Sequence, residues 1–372
     1  MTSKQPVPQG GDQGGSDFVD AAGAPGAEPG REHEGSGNSG TGAAPPVAEH
    51  DAAGRSLADR KRLAERPLVI VGPTASGKSD LAMGVARLIG GAEIVTLDSM
   101  QVYRGMDIGT ATPTAADQSQ VRHHLIDVVD PSEEFAVAEF QARASAVIDD
   151  IRDRDAVPVL VGGTGLYVRA VIDGLRIPGR YPEVRAGLEA EPDTAALHRR
   201  LAALDPVAAG RMEPANRRRV VRALEVTLGS GRPFSSYGPG LAQYPPTPFV
   251  QVGLRWHRDR LDERIAARYQ RQMAGGFLDE VRSLAEQPIS RTASQALGYR
   301  ELLAHVRGEA SLDEALDLAV ARTRRFARRQ ERWFRRDPRI RWLDAPAAPS
   351  EAVAVWDEAI SASPSPGTSA SW

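Results

Sequence analysis

The 372-residue sequence predicts an α/β fold of the P-loop NTPase-like kind, a parallel sheet flanked by helices with a helical inserted subdomain, and three observations point to it. A short apolar run, Pro67 to Val71, enters a glycine-rich turn that opens a helically spaced segment, Asp80 to Ile89. Strand-like and helix-like segments then alternate, as they do where parallel strands are joined by crossover helices. The alternation stops between residues 178 and 245, where short helical stretches appear with little strand pattern.

Residues 1–65 read as a leader rich in Gly, Ala, Pro, Ser and acids. Disorder is expected there, because so few large apolar groups do not offset the entropy of ordering. A secretory signal would need a basic start and an apolar centre, and neither is present. Order is expected from Arg66. After the first strand and helix, a second strand reads Glu93 to Leu97, a helix about Ala136 to Arg152, and a third strand Val157 to Val161, which ends in Gly162-Gly163-Thr164-Gly165. These make residues 66–177 the first part of a catalytic core. The insertion, 178–245, has its clearest helix at Ala215 to Leu228 and closes on a Pro/Gly/Tyr-rich link. The core resumes over 246–345 with a strand at Phe249 to Leu254, a helix at Leu261 to Ala274, a long arginine-rich helix at Leu312 to Arg336 and a terminal strand at Ile340 to Leu343. Trp333 and Phe334 are expected to pack as core. Residues 346–372 are expected to be largely disordered, and no internal repeat is evident.

Composition removes several function classes. With no cysteine there are no disulfides, thiolate nucleophiles or cysteine-rich zinc modules. No apolar run approaches the roughly 20 residues of a membrane-spanning helix. The net charge of −3 conceals an asymmetry, since residues 1–51 hold eight acids against Lys4 and Arg31, which puts −6 there and leaves +3 on the remainder. A weakly positive body with clustered arginines suits a polyanionic partner. The clusters are Arg217, Arg218, Arg219 and Arg222 in the insertion, and Arg322, Arg324, Arg325, Arg328, Arg329, Arg332, Arg335 and Arg336 in the late helix.

Gly72-Pro73-Thr74-Ala75-Ser76-Gly77-Lys78-Ser79 fits GxxxxGK[ST], directly after a strand and opening a helix. Glycines there let successive backbone amides face phosphate oxygens, the helix start favours negative charge, Lys78 neutralises it, and Ser79 can ligate magnesium. The loop therefore predicts a diphosphate or nucleotide site with Mg2+. An ordinary P-loop kinase or NTPase usually adds a magnesium-organising Asp after a later strand. Here that strand ends in glycines, and the acid is Asp98, after the second strand, on the carboxyl edge where ligands of open α/β sheets gather. Asp98 is a candidate general base or magnesium partner. From the motif alone, a small-molecule kinase or NTPase and a non-catalytic RNA-binding protein with a phosphate clamp both remain open.

The stretch Asp98-Ser99-Met100-Gln101-Val102-Tyr103-Arg104-Gly105-Met106-Asp107-Ile108-Gly109-Thr110, about 20 residues after the loop, closely resembles the tRNA dimethylallyltransferase family. His124-Leu125-Ile126-Asp127 with Asp130-Pro131, the Val161 to Tyr167 segment, Arg222-Ala223-Leu224-Glu225-Val226 and Leu297-Gly298-Tyr299-Arg300 match as well. The resemblance covers about residues 66–345. It implies transfer of a dimethylallyl group from dimethylallyl diphosphate to the exocyclic amino group of the adenosine 3′ of the anticodon (position 37), in tRNAs reading codons that start with U. It implies Asp98 as proton acceptor, with Lys78 and Arg268 stabilising the leaving diphosphate. It also implies tRNA contacts at Asp98, Ser99, Met100 and Gln101, at Thr164 and Arg185, at Arg218, Arg219, Val220, Val221 and Arg222, and at Gln295, Ala296, Leu297, Gly298, Tyr299 and Arg300. A cytoplasmic monomer follows from the same likeness, with the tRNA anticodon stem-loop as partner, no membrane and no protein partner. Thr112 departs from the pattern, standing where the family usually has lysine.

Overall fold

A computed structural model of the chain describes residues 55–238 and 240–362; the expectation of disorder over residues 1–54 and 363–372 lies outside them. The described chain runs α1 (Leu57–Glu65), β1 (Leu68–Val71), α2 (Lys78–Ile89), β2 (Ala92–Thr96), α3 (Ala115–Gln120), β3 (His123–His124), α4 (Val137–Asp153), β4 (Val157–Gly162) and α5 (Gly165–Ile172). The insertion follows as α6 (Pro182–Glu189), α7 (Thr194–Leu204), α8 (Pro206–Gly210) and α9 (Arg217–Ser230). The core returns with β5 (Val250–Arg255), α10 (Arg258–Ala274), α11 (Phe277–Ala285), α12 (Tyr299–Val306), α13 (Leu312–Phe334), β6 (Ile340–Asp344) and α14 (Pro349–Ser361). Each expected strand and helix is present, with ends displaced by a few residues. The short edge strand β3 was not anticipated.

The six strands form one parallel sheet in the order β3-β2-β4-β1-β5-β6. β1 is central and apolar on both faces, because helices cover both. Its side chains alternate accordingly: Val69 and Val71 join one core with Phe140, Ile265 and Phe334, while Leu68 and Ile70 join the other with Leu81, Ile89 and Trp356. All five loops that leave β1, β2, β4, β5 and β6 emerge at the same carboxyl edge, which assembles the site described below. Among the described residues, no helix is long and apolar enough to cross a membrane.

The insertion has its own small core, with Leu188, Leu197, Leu201, Val220 and Leu224 packed together. Its chain leaves and re-enters the main body at one charged knot. Arg169 pairs with the buried Asp173 and donates to the carbonyls of Leu241 (3.2 Å) and Gln243 (2.6 Å). Arg339 reaches Asp173 and the Pro245 carbonyl, both at 2.7 Å. Both guanidinium groups lie over the Tyr244 ring, so the outgoing and returning strands share one cation-aromatic clasp.

Two expectations of disorder fail here. Residues 57–65, assigned to the leader, form α1, whose start is a reciprocal cap between Ser56 and Asp59 and whose Leu63 and Ala64 are buried. Residues 349–361, assigned to a disordered end, form α14. Tertiary contact supplies what local composition lacks: the Trp356 indole is fully buried and donates to the Arg66 carbonyl at 2.7 Å, Arg66 donates to the Ala359 carbonyl at 2.7 Å, and Pro349 packs where Gly84 of α2 has no side chain. Replacing Trp356→Ala should lower the unfolding free energy by about 3–5 kcal/mol, read from the urea midpoint; an unchanged midpoint would mean α14 is not part of the cooperative core.

Candidate active site

The phosphate loop winds from β1 into α2 through two left-handed residues, Ala75 (φ 62°) and Gly77 (φ 84°). Glycine adopts this conformation freely, whereas an alanine there costs about 1–2 kcal/mol. Distant segments hold the turn in place. The Trp256 indole donates to the Ser76 carbonyl at 2.8 Å, Arg264 donates to the Ala75 carbonyl at 2.8 Å while stacking on Trp256, and the Thr74 amide donates to Gln330 Oε1 at 2.9 Å. With those carbonyls engaged, the amides of Gly77, Lys78 and Ser79 start α2 without intrahelical acceptors and suit an anion.

Around the loop stand the three groups expected to do chemistry. Asp98 follows β2, and its Oδ1 accepts the Met100 amide at 2.8 Å, a short turn that orients the carboxylate. Arg268, from α10, donates to Thr74 Oγ1 at 3.2 Å and to the Gly109 carbonyl at 3.0 Å. Burial lowers the Lys78 ammonium to about 8; the negative charge of Asp98 opposes that shift and the positive charge of Arg268 adds to it. Burial likewise lowers Arg268, with Asp98 among the charges acting against it. Two cations thus wait, poorly solvated, beside one carboxylate. An incoming diphosphate relieves their mutual repulsion.

At the end of β4 an acid would have to displace Gln330. A side chain at Gly163 would meet Gln330 Nε2 at 2.6 Å, the Gly72 carbonyl at 3.1 Å and Lys78 Cε at 3.4 Å. Gln330 itself is 7% exposed and bridges two loops, accepting from Thr74 and donating to the Gly163 carbonyl at 2.7 Å. Sequence reasoning missed Gln330, Trp256 and Arg264. A lone neutral amide within Arg328-Arg329-Gln330-Glu331 was the available signal.

The residues expected to touch tRNA divide by exposure. Ser99 and Thr164 meet through their hydroxyls at 3.4 Å beside Asp98, whereas Gln101 is buried and donates to the Ala111 carbonyl at 3.1 Å. Arg185 is tied to Glu225 (3.3 Å) and Glu189 (2.8 Å), and Arg222 to Glu225 (2.8 Å) and the Pro178 carbonyl (2.8 Å). Arg218 and Arg219 are exposed. Val220 and Val221 contradict the expectation for their side chains, which are buried in the insertion, because a helix with one apolar face turns those positions inward. In the last stretch Gln295 and Arg300 are exposed and paired at 3.0 Å. Ala296, Gly298 and Tyr299 are buried; burial and the nearby Glu280 push the Tyr299 phenol up, and it donates to Glu280 at 2.6 Å. Thr112 bonds the Thr110 hydroxyl at 2.8 Å.

A family model described as IPP transferase matches residues 101–337. A tRNA dimethylallyltransferase of Kineococcus radiotolerans is 52% identical over 291 residues, covering 75% of this chain and 91% of that protein; one from Streptomyces coelicolor is 49% identical, covering 77% and 92%. Among solved structures, the tRNA isopentenylpyrophosphate transferase of Bacillus halodurans superposes with a TM-score of 0.58 at 37% identity, over 80% of this chain and 96% of that one. A eukaryotic dimethylallyltransferase acting on tRNA superposes with a TM-score of 0.67 at 25% identity, over 80% of each chain.

Two outcomes are expected of this geometry. Affinity for inorganic diphosphate, measured by calorimetry, should fall as pH rises through about 8, because Lys78 then releases its proton before the anion arrives; a flat profile from pH 7 to pH 9.5 would remove Lys78 from the site. Gln330→Glu sets a carboxylate oxygen against the Gly163 carbonyl, so it should cost about 1–3 kcal/mol of stability and weaken diphosphate binding in the same titration.

Proposed function

The chain belongs to the IPP transferase family, and on that premise we propose that it transfers a dimethylallyl group from dimethylallyl diphosphate to the exocyclic amino nitrogen of the adenosine 3′ of a tRNA anticodon. One observation carries the reading: a carboxylate, Asp98, stands within electrostatic reach of a two-cation diphosphate cradle, while the β4 end, where a kinase or NTPase keeps its acid, carries glycines crowded by Gln330. The amino nitrogen attacks the allylic carbon, the bond from that carbon to oxygen breaks, and the diphosphate leaves with the electron pair. Asp98 takes the proton that the nitrogen loses. Lys78, Arg268 and the loop amides meet the charge that grows on the leaving group.

Magnesium fits the donors present. Among the described residues no three His, Asp or Glu side chains cluster to cage a metal, but the Ser79 hydroxyl in the first turn of α2 would hold the ion with diphosphate oxygens and water filling the remaining positions. When bound, the ion would neutralise diphosphate charge. The target adenine must leave its stack to reach Asp98, and the gap between the core and the insertion is the expected route for the anticodon stem-loop. The enzyme is read as a monomer acting in the cytoplasm.

Purified protein, unmodified tRNA, magnesium and dimethylallyl diphosphate should yield isopentenyladenosine by nucleoside mass spectrometry; its absence, or ATP turnover that needs no RNA, would overturn the reading. Asp98→Asn should slow transfer by about 10²–10⁴-fold with tRNA affinity nearly unchanged. A parallel loss of affinity would make Asp98 a recognition or folding residue.

A further inference from the structure

α13 presents a second basic surface that the transfer chemistry leaves unused. Arg325, Arg328, Arg329, Arg332 and Arg335 recur at three- and four-residue spacing, which puts them along one side of the helix, and from first to last they span about 15 Å. Together with Trp256 and Arg258 they line an open cleft of about 710 Å3. The single acid in its wall, Glu331, is occupied by Arg335 at 2.6 Å, and Arg328 leans toward Asp262 at 3.8 Å. Arg258, Arg325, Arg329 and Arg332 are exposed, and among the described residues none has a carboxylate within ion-pair distance. The same helix elsewhere neutralises its charge, as where Arg322 binds Glu301. Like charges four residues apart on a helix repel, so this row is held in an arrangement that an external anion would stabilise.

The form of the cleft selects the anion. A compact diphosphate is suited by the enclosed amide ring of the phosphate loop, whereas this surface is open, linear and built only from flexible side chains. Of the two ring side chains in its wall, Trp256 is committed, with its indole N–H on the Ser76 carbonyl and its face under Arg264, and His257 is the one exposed ring beside six arginines. Charge that so outweighs base-reading groups is the pattern of backbone contact. We propose that the α13 cleft is a docking groove for the phosphodiester backbone of tRNA, beyond the adenosine that reacts. This rests on tRNA being the acceptor. One helix then serves both substrates, with Gln330 setting the phosphate loop from its inner side and the arginine row holding RNA on its outer side.

The test is the triple variant Arg325→Ala, Arg329→Ala, Arg332→Ala in the full chain, with tRNA affinity measured across a potassium chloride series. Removing three phosphate contacts should reduce the slope of log K against log salt by about 2 and raise the tRNA Kd more than tenfold, while the Kd for inorganic diphosphate stays within about twofold. The corresponding triple lysine variant, which keeps the charge, should retain most of the slope, and it controls for any loss of folding in the alanine variant. An unchanged tRNA slope, or weakened diphosphate binding in its place, would overturn the proposal and assign the cleft to no ligand or to a small anion. Wild-type protein that binds tRNA yet forms no isopentenyladenosine would sink the transfer reading alone.

Discussion

The site depends on keeping a strained loop in one shape before any ligand arrives. An alanine and a glycine in left-handed conformation turn amides outward, and within the loop the turn is braced by the Pro73 carbonyl, which accepts from the Ser76 amide at 3.3 Å and from Lys78 Nζ at 3.5 Å. Three side chains from remote parts of the sequence, Trp256, Arg264 and Gln330, engage its backbone on consecutive residues. A fourth, Arg268, reaches the Thr74 hydroxyl and the Gly109 carbonyl. The loop is therefore preorganised by the second half of the core, which chain connectivity places on the far side of the insertion. Folding of residues 246–345 against residues 66–177 is a precondition for binding.

Arginine is used in two ways in this molecule. Arg169, Arg185, Arg222, Arg322 and Arg339 are partners of buried or half-buried carboxylates, where a planar donor fork satisfies several acceptors at once. Arg218, Arg219 and the row on α13 remain exposed. Composition counts both kinds equally, which explains why the net charge says little and the pairing says much. Of the arginine group in the insertion, only the two exposed members remain available to a partner; Arg217 is spent on carbonyls of residues 189–192.

Much of the fold was legible because its signals are local. The β1-loop-α2 unit follows from an apolar run and a spaced glycine motif, Asp98 from its place after the next strand, and the insertion from a break in alternation. What escaped was decided by tertiary contact. α14 lies in an Ala- and Pro-rich tail, yet Ala352, Val353 and Trp356 recur with helical spacing and are buried together. Val220 and Val221 stand beside exposed arginines in the chain, yet the helix turns their side chains onto the apolar face of the insertion. Gln330 was unreadable for a third reason: its value lies in two backbone groups that belong to loops more than 160 residues away.

The crowding at Gly163 ties the missing acid to the support of the phosphate loop. In a nucleotide-hydrolysing relative of this architecture, an acid at the end of the corresponding strand would organise the metal. Here a methyl group at that position would overlap Gln330 Nε2 and crowd the Gly72 carbonyl, while lying at ordinary contact distance from Lys78. An acid there would push Gln330 off the Thr74 amide and the Gly163 carbonyl, so it would come at the expense of the brace that holds the phosphate loop.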